Sequence, residues 1–366
     1  MKFRCEREEL LEALGLAQRA ISSRPNLPIL AGLRVQLIGN QLTITGSDLD
    51  LTITTVITVG GETDGVVVLP AKLINEIVRS FESGAVEIST GSEDGKVHIH
   101  SGRSNFDCNM SPADEYPNIT DIDGEDVTLD ASDLAEGLRQ VVKAASNDDT
   151  RLILTGVMLT TEGTGLRMVS TDSYRLAVRD LPGTTVLPEG QSVIVPSRAL
   201  NELARSLNGD EVVTLTLGER DATFQVGSLH LRTRLIEGEF PNYKGLIPDS
   251  QPNRLTVDRL ALLDAVKRVR LMAREPNTPI RLTMAADSLE LRATTPDVGE
   301  ATEQLDANYA GEELEVAFNP EFLIDGLEVT SGDEITLETV DGLKPALLRP
   351  LGSTDFLYLL MPVRVT

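Results

Sequence analysis

The chain of 366 residues has only two cysteines and three histidines, the side chains of disulfides and of many metal sites. Its two cysteines, Cys5 and Cys108, are too few for a disulfide framework, so a reducing cytoplasm is the expected compartment. A bridge between these two cysteines is the less favoured alternative. No apolar run approaches the length of a membrane span, and the first residues lack the apolar stretch of a signal peptide.

Recognisable catalytic motifs are also lacking. The sequence has no glycine-rich phosphate loop followed by Lys-Ser/Thr, no His-Glu-x-x-His and no Gly-x-Ser-x-Gly. His98 and His100 lie two residues apart on a predicted strand and could offer two metal ligands, but a solvated strand face is the favoured interpretation. Neighbouring aspartates such as Asp48 and Asp50 leave a metal-dependent hydrolase as a remote alternative.

The feature that organises the sequence is an internal repeat of about 124 residues. The stretch Val169–Val178 contains Asp172, and altered copies place Asp48 and Asp297 at the corresponding positions. We expect each aspartate to form a turn by hydrogen bonding to its own backbone. A second landmark recurs in phase, at Val68–Ile77, Ile194–Leu203 and Ala317–Asp325. We therefore predict three modules of one fold, at residues 1–124, 125–248 and 249–366.

Each module combines two helical patterns with short alternating strands. Helices are predicted at Glu8–Ala20, Ala71–Phe81, Ser132–Ala145, Ser197–Leu207, Asp258–Leu271 and Pro320–Leu327. In module one, Gly39 and Asn40 mark a hairpin turn between two such strands. The predicted class is α+β, with antiparallel sheets.

The distribution of charge is more informative than its total. A net charge of −24 taken alone argues against a nucleic-acid binder, because duplex DNA would be repelled. However, the helical segments hold equal numbers of basic and acidic residues, so the excess of acid lies in strands and loops. Basic residues gather toward helix C-terminal halves, among them Arg139, Lys143 and Lys267. They either complement the helix dipole or form one face of an assembly that tolerates phosphates.

Over essentially its whole length the sequence resembles the beta subunits of bacterial DNA polymerase III, the sliding clamps of replication. The resemblance is carried by motifs in the same order, at Arg24–Leu30, Thr45–Asp48, Ser101–Ser104, Thr171–Leu176, Phe240–Tyr243 and Leu360–Arg364. It implies a DNA-clamp fold in which two three-module chains form a head-to-tail homodimeric ring. Helices would line the hole and sheets would form the rim.

The resemblance also implies a role and partners. The ring would encircle double-stranded DNA and act as a processivity factor without a catalytic site, cofactor or metal. Its partners would be the replicative DNA polymerase, an ATP-dependent clamp loader and other repair and replication proteins that carry a clamp-binding motif, with no membrane involved. A clamp paralogue specialised for repair or for inhibitor resistance is the alternative within the same fold.

Three sets of residues carry over from the family. A peptide-binding pocket would use Leu154, Thr171, Ser173, Tyr174, Arg175, Leu176, Pro241, Leu246, Asn319, Phe322, Met361, Pro362, Val363 and Arg364, bordered by the stretch 344–346. DNA contacts would come from Arg24, Lys72, Arg79, Arg151 and Arg198, besides the helical residues Arg139, Lys143 and Lys267. The dimer interface would use Phe81, Arg103, Phe106, Leu271, Met272, Glu300 and Glu303, with the glutamates pairing to Arg103.

Some of these positions have features of their own. Arg175 and Arg364 at the edge of an apolar groove would suit an acidic or C-terminal carboxylate group of a bound peptide. The sequence departs from the family at Ser173, where glycine is common. It also departs at Leu152 and Ile153, where some members carry aromatic residues that could stack on single-stranded bases.

Overall fold

The computed structural model describes residues 1–91, 95–119, 122–163, 165–207, 209, 211–248, 250–274 and 278–364. The helices are α1 (Arg7–Gln18), α2 (Ala71–Ser80), α3 (Ala131–Val141), α4 (Ser197–Ala204), α5 (Arg259–Val269) and α6 (Pro320–Val329). Each begins within one residue of its predicted start. Among the described residues, no helix is both long and apolar enough to cross a membrane.

The strands are short and antiparallel, which confirms the predicted α+β class. They are β1 (Lys2–Glu6), β2 (Gly32–Ile38), β3 (Gln41–Ser47), β4 (Leu51–Thr58), β5 (Gly60–Thr63), β6 (Gly65–Pro70), β7 (Ala85–Thr90), β8 (Lys96–Ser101), β9 (Ser104–Asn109), β10 (Glu125–Asp130), β11 (Gly156–Glu162), β12 (Gly165–Thr171), β13 (Arg175–Leu181), β14 (Ser192–Pro196), β15 (Val212–Leu217), β16 (Asp221–Val226), β17 (Leu229–Arg234), β18 (Asn253–Asp258), β19 (Ile280–Ala285), β20 (Ser288–Thr295), β21 (Gly299–Asp306), β22 (Asn308–Ala310), β23 (Leu314–Phe318), β24 (Glu334–Thr339), β25 (Ala346–Pro350) and β26 (Phe356–Leu360).

Unit 1 consists of residues 1–132 and 205–235 and contains two sheets. One has the order β5-β1-β7-β8-β9, and the other has the order β10-β15-β16-β17-β4-β3-β2-β6. The second sheet joins strands of predicted modules one and two, because β17 pairs with β4 and sets His230 opposite Thr54. We call this pairing joint one.

Unit 2 consists of residues 133–204 and 236–366 and is built in the same way. Its nine-stranded sheet has the order β14-β11-β12-β13-β26-β25-β24-β18-β22, and its four-stranded sheet has the order β21-β20-β19-β23. Here β26 of predicted module three pairs with β13 of module two and sets Leu357 opposite Val178. We call this pairing joint two. Both joints use the final strand of one module and the strand that follows the aspartate turn of the module before it.

Helix α1 packs on the eight-stranded sheet of unit 1, at β3 and β4, through a buried apolar face. Leu10, Leu14 and Ala17 are at most 1% exposed and belong to the core of module one. The helix can approach the sheet closely because Gly46 on β3 has no side chain. A Cβ atom at Gly46 would overlap the carbonyl oxygen of Ala17. At the corresponding place in module two, Ser170 instead donates a hydrogen bond to the Val141 carbonyl at the end of α3.

The aspartate turns confirm one prediction and correct another. Asp48 Oδ1 accepts hydrogen bonds from the amides of Asp50 (3.2 Å) and Leu51 (2.8 Å), as expected for a turn-forming aspartate. Asp172 does the same for the two residues after Ser173. The prediction that Asp297 forms the equivalent turn in module three was wrong.

In module three the turn is one residue shorter. Strand pairing sets Thr295 opposite Gly299, four residues on, whereas Thr171 faces Leu176, five residues on. Asp297 has φ +62°, the left-handed conformation that Ser173 adopts at φ +81°. Asp297 therefore corresponds to Ser173, and Pro296 takes the place of the turn-forming aspartate.

Candidate functional site

The turn at Asp172 places a large aromatic side chain at the surface. Its backbone is fixed because Asp172 Oδ1 accepts from the amides of Tyr174 (2.9 Å) and Arg175 (3.0 Å), and the Thr171 hydroxyl donates to the Arg175 carbonyl at 2.6 Å. Ser173 holds the left-handed position, where a glycine would be free of steric cost. Tyr174 is consequently exposed, with 59% of its surface accessible.

Arg175 is buried and paired within the chain, so recognition of a carboxylate of a bound peptide would require it to exchange a partner. Its guanidinium contacts Asp172 Oδ2 at 3.0 Å, Asp325 Oδ2 at 2.5 Å and the Tyr358 hydroxyl at 3.1 Å. Burial works to lower the pKa of Arg175, but Tyr358, Asp325 and Asp172 outweigh it and raise that pKa. The residue is therefore a structural cation with two carboxylate partners.

The same guanidinium supports an aromatic platform. It lies 4.6 Å from the centre of the Phe322 ring, and Tyr174 stacks on that ring with centroids 6.3 Å apart. The C-terminal tail returns to this place, because the Met361 amide donates to the Tyr174 carbonyl at 2.9 Å. The structure thus brings together Tyr174, Arg175, Phe322 and Met361, which are four of the predicted pocket residues.

The other predicted pocket residues occupy varied environments in unit 2. Leu176 is 1% exposed and belongs to a buried cluster with Leu359, so it can only form the floor of a pocket. Asn319 caps α6, since its side chain accepts from the amides of Glu321 and Phe322. Half-buried or exposed positions are taken by Leu154, Pro241, Leu246, Pro362, Val363 and Arg364.

Helix α6 links this platform to basic residues of two other helices. Phe322, Asp325 and Glu328 are three residues apart, so they share one face of the helix. Glu328 accepts from the Lys143 ammonium at 2.8 Å and lies 2.9 Å from the Lys267 ammonium. These two lysines lower the pKa of Glu328 to about 2. Asp325 and Glu328 were not among the predicted site residues, although their three-residue spacing after Phe322 was a visible signal.

Several predicted DNA-binding residues are therefore occupied by internal partners. Lys143 and Lys267 share Glu328, and Arg139 binds Glu136 at 2.7 Å and donates to the Glu328 carbonyl at 2.8 Å. Arg151 donates to the Asp172 carbonyl at 3.0 Å and so supports the pocket turn. Arg139, Lys143 and Lys267 are nevertheless exposed, as are the predicted cations Arg24, Lys72 and Arg79 in unit 1 and Arg198 in unit 2.

Three of the predicted dimer residues, Phe106, Glu300 and Glu303, lie on strands that are sheet edges in the described part of the chain. Phe81 directly follows α2, and Leu271 and Met272 follow α5. In unit 1, Phe106 on the edge strand β9 packs on Phe81 with ring centroids 5.6 Å apart, and Arg103 is exposed beside it. In unit 2, Leu271 is 69% exposed. Glu300 pairs with Arg292 at 2.7 Å and Glu303 with Arg268 at 3.0 Å, so both glutamates already have partners within the chain.

The histidines and cysteines of module one occupy ordinary places in its sheet. His98 Nδ1 is 2.6 Å from Asp107 Oδ1 and His100 Nδ1 is 2.8 Å from Asn105 Oδ1, both across neighbouring strands. Within the described ranges, no three histidine, cysteine or acidic side chains group into a metal site. Cys5 is unbridged, and burial raises the pKa of its thiol to about 12.

Three family models match the chain in sequence order. They describe the N-terminal, central and C-terminal domains of the DNA polymerase III beta subunit, and they match residues 1–120, 128–242 and 244–364. The chain belongs to this family. The relationship extends over full lengths: the beta sliding clamp of Synechococcus elongatus is 35% identical, and that of Bacillus subtilis is 32% identical, with 100% of each chain covered.

Solved structures of the family have the same fold. The sliding clamp of Bacillus subtilis superposes with a TM-score of 0.93 at 32% identity, with 100% of both chains covered. A Bartonella birtlesii clamp solved with bound griselimycin superposes with a TM-score of 0.94 at 31% identity, again over 100% of both chains. The family predicted from the sequence motifs is therefore confirmed.

We expect the Glu328 bridge to give a pH-dependent contribution to stability. Because the folded pKa of Glu328 is lowered to about 2 from an ordinary value of 4.5, its contribution is complete above pH 4.5 and is lost as pH falls toward 2. Glu328→Gln should lower the free energy of unfolding by about 1 kcal/mol at pH 7, a modest amount because the pairs are partly exposed.

Urea denaturation at pH 7, 5 and 3 measures this effect, with Glu313→Gln, an exposed glutamate outside the network, as the control. The gap between wild type and Glu328→Gln should narrow as the pH falls. An unchanged gap at pH 3 would contradict the assignment.

Proposed function

We propose that this protein is a DNA sliding clamp, a processivity factor that tethers the replicative polymerase to DNA and has no catalytic site of its own. Its family carries this role by name, and the strand pairing at the two joints is the observation that supports it for this chain. A replication accessory subunit of this kind works in the bacterial cytoplasm.

The joints imply a third pairing between two copies of the chain. At joint one β17 pairs with β4, and at joint two β26 pairs with β13. By the same rule, β21 of module three should pair with β9 of module one. Both strands are sheet edges in the described part of the chain, and an unpaired edge presents a row of main-chain donors and acceptors. Two copies joined twice in this way form a head-to-tail ring.

Apolar side chains beside these edges would stabilise the contact. Leu271 and Met272 would pack on Phe81 and Phe106 of the second copy. The glutamates Glu300 and Glu303 would have to share or exchange their internal arginine partners to pair with Arg103. The main contribution therefore comes from backbone hydrogen bonding and apolar burial, with ion pairs adding little.

We expect Leu271→Ala combined with Met272→Ala to weaken the dimer, because it removes a few kcal/mol of apolar burial at each interface. Sedimentation velocity at micromolar concentration should show a dimer for the wild type and a monomer for the double variant. Leu260→Ala, another exposed leucine near the start of α5, is the matched control and should remain dimeric. A wild-type monomer would exclude the proposed ring.

Encirclement explains how a chain with net charge −24 can hold DNA. Affinity for phosphates depends steeply on salt, whereas a closed ring leaves DNA only by opening or by sliding off an end. After loading by an ATP-driven loader, the clamp should remain on closed circular DNA in 0.5 M salt and be released when the circle is cut. Gel filtration of labelled clamp with circular and linearised plasmid measures this. Equal, salt-sensitive binding to both forms would refute topological holding.

The aromatic platform is the candidate site for partner peptides. Tyr174 and Phe322 offer an exposed face next to the ordered tail, which suits the hydrophobic anchors of a short extended peptide. Because Arg175 is neutralised internally, Arg364 is the remaining predicted cation for an acidic group on that peptide. The polymerase, the clamp loader and other proteins with a clamp-binding motif would compete for this site.

We expect Phe322→Ala to weaken binding of a polymerase-derived motif peptide at least tenfold, because it removes the ring on which Tyr174 stacks. Fluorescence anisotropy with a labelled peptide measures the change. Leu351→Ala, an exposed apolar residue elsewhere in unit 2, should leave the affinity unchanged. Sedimentation of Phe322→Ala should still show a dimer. Equal peptide affinity for Phe322→Ala and wild type would refute the pocket assignment.

A further inference from the structure

A cavity of about 530 Å³ lies at joint one, in unit 1. Its base is the sheet formed by β2, β3, β4, β16 and β17, and its cover is the segment 113–119, which we call the strap. The strap is held down by Tyr116, which is 6% exposed and packs in a cluster with Leu30 and Val68. The volume lies within the range of roughly 300–1,000 Å³ that is usual for small-molecule sites.

At the same place in joint two, apolar side chains fill most of the space, and the pocket that Val178 and Leu357 line there has a volume of only about 150 Å³. Strand register and the repeat make Arg34, Thr45, Thr54 and Thr223 at joint one equivalent to Met158, Val169, Val178 and Leu347 at joint two, and His230 and Arg232 equivalent to Leu357 and Leu359. The joint-two residues form a cluster in which every member is at most 7% exposed. This fold can therefore fill most of the position with hydrocarbon, and joint one does not.

This departure has an energetic cost. Half-buried polar groups contribute less to stability than the aliphatic residues found at the equivalent positions, unless a partner satisfies them. The two joints have the same strand pairing, but the equivalent residues on this face of the sheet are apolar at joint two and polar at joint one. Departures of this kind are characteristic of functional sites.

The lining carries two arginines, Arg34 and Arg232, against one acidic side chain, Asp114. Arg34 donates to Gln36 Oε1 at 2.9 Å, which uses one of the five N–H groups of its guanidinium. Arg232 is 3.1 Å from Asp221, and His230 lies next to it on β17 with its side chain on the same face. The hydroxyls of Thr45 and Thr54 are 3.1 Å apart across neighbouring strands and can donate to the same guest.

We propose that the joint-one cavity binds a small organic anion that carries a phosphate or carboxylate group. Arg34 would make a two-pronged contact with the anionic group, and the threonine hydroxyls and Arg232 would complete its hydrogen bonds. The cavity shares no residue with the aromatic platform, and the proposal does not depend on the clamp function.

Isothermal titration of the full-length protein tests this site with two probes, pyrophosphate and citrate. We expect saturable binding of one probe molecule per chain for at least one of them. Binding of pyrophosphate alone identifies a phosphate ligand, and binding of citrate alone identifies a carboxylate ligand. Arg34→Met, which installs the joint-two residue, should weaken binding at least tenfold, and Arg34→Lys should give an intermediate affinity.

Two further variants keep the test decisive. Thr54→Val, which is nearly isosteric and also copies joint two, should weaken binding severalfold even if Arg34→Met fails to fold, as judged by circular dichroism. Arg254→Met, an exposed arginine of unit 2, should bind as the wild type does. The proposal is overturned if neither probe binds, or if Arg34→Met binds a probe with wild-type affinity. If Arg34→Met fails to fold, wild-type affinity of Thr54→Val overturns the proposal instead.

Discussion

Main-chain hydrogen bonding across the joints is the constraint on which the rest of this structure depends. β17 and β26 each join the strands of their own module to a sheet of the preceding module. The position of the candidate pocket follows from this pairing: Arg175 and Leu360 face each other at the end of joint two, so the tail leaves the sheet beside the Asp172 turn. Backbone pairing does not specify the side chains above it. The two joints can therefore share one geometry while one is covered by aliphatic residues and the other by arginine, histidine and threonine.

Arg175 holds packed elements together through internal ion pairs. Its two carboxylate partners come from different elements, Asp172 from the turn and Asp325 from α6. The cation therefore fixes the helix against the turn and holds Phe322 under Tyr174. The next acid along the same helix face, Glu328, extends the contact to Lys143 and Lys267. The platform and the basic helix ends are thus parts of one ion-pair network along α6.

The fold was largely predictable because apolar periodicity and turn residues are local signals. The start of α5 was predicted within one residue from its apolar pattern, and the turns at Asp48 and Asp172 followed from known aspartate behaviour. The third turn is one residue shorter, and this was not predicted because Asp297 is also an aspartate and lies at nearly the same distance along the chain from Asp172 as Asp172 does from Asp48. The module boundaries remain a prediction, since the compact units of the structure follow the joints.

The site was less predictable for a physical reason. The sequence shows that Arg175 is charged but not that Asp325, 150 positions away, neutralises it. The same holds for Lys143 and Glu328, which face each other across helices of different modules. Charges read from sequence alone were counted as available for ligands, whereas tertiary contacts had already assigned partners to several of them.

The positions of β9 and β21, which are sheet edges in the described part of the chain, have a consequence for the number of copies in the proposed assembly. They are different surfaces, so the proposed contact between them is heterologous, and each added copy would present another edge of the same kind. Such a series ends only when the rotation per copy divides a full turn; otherwise it grows into a helical fibre. The number of copies in a closed ring is therefore set by the rotation from one copy to the next, which depends on the twist and bend at the joints. The strength of the edge contact determines only how stably the final contact of the ring forms.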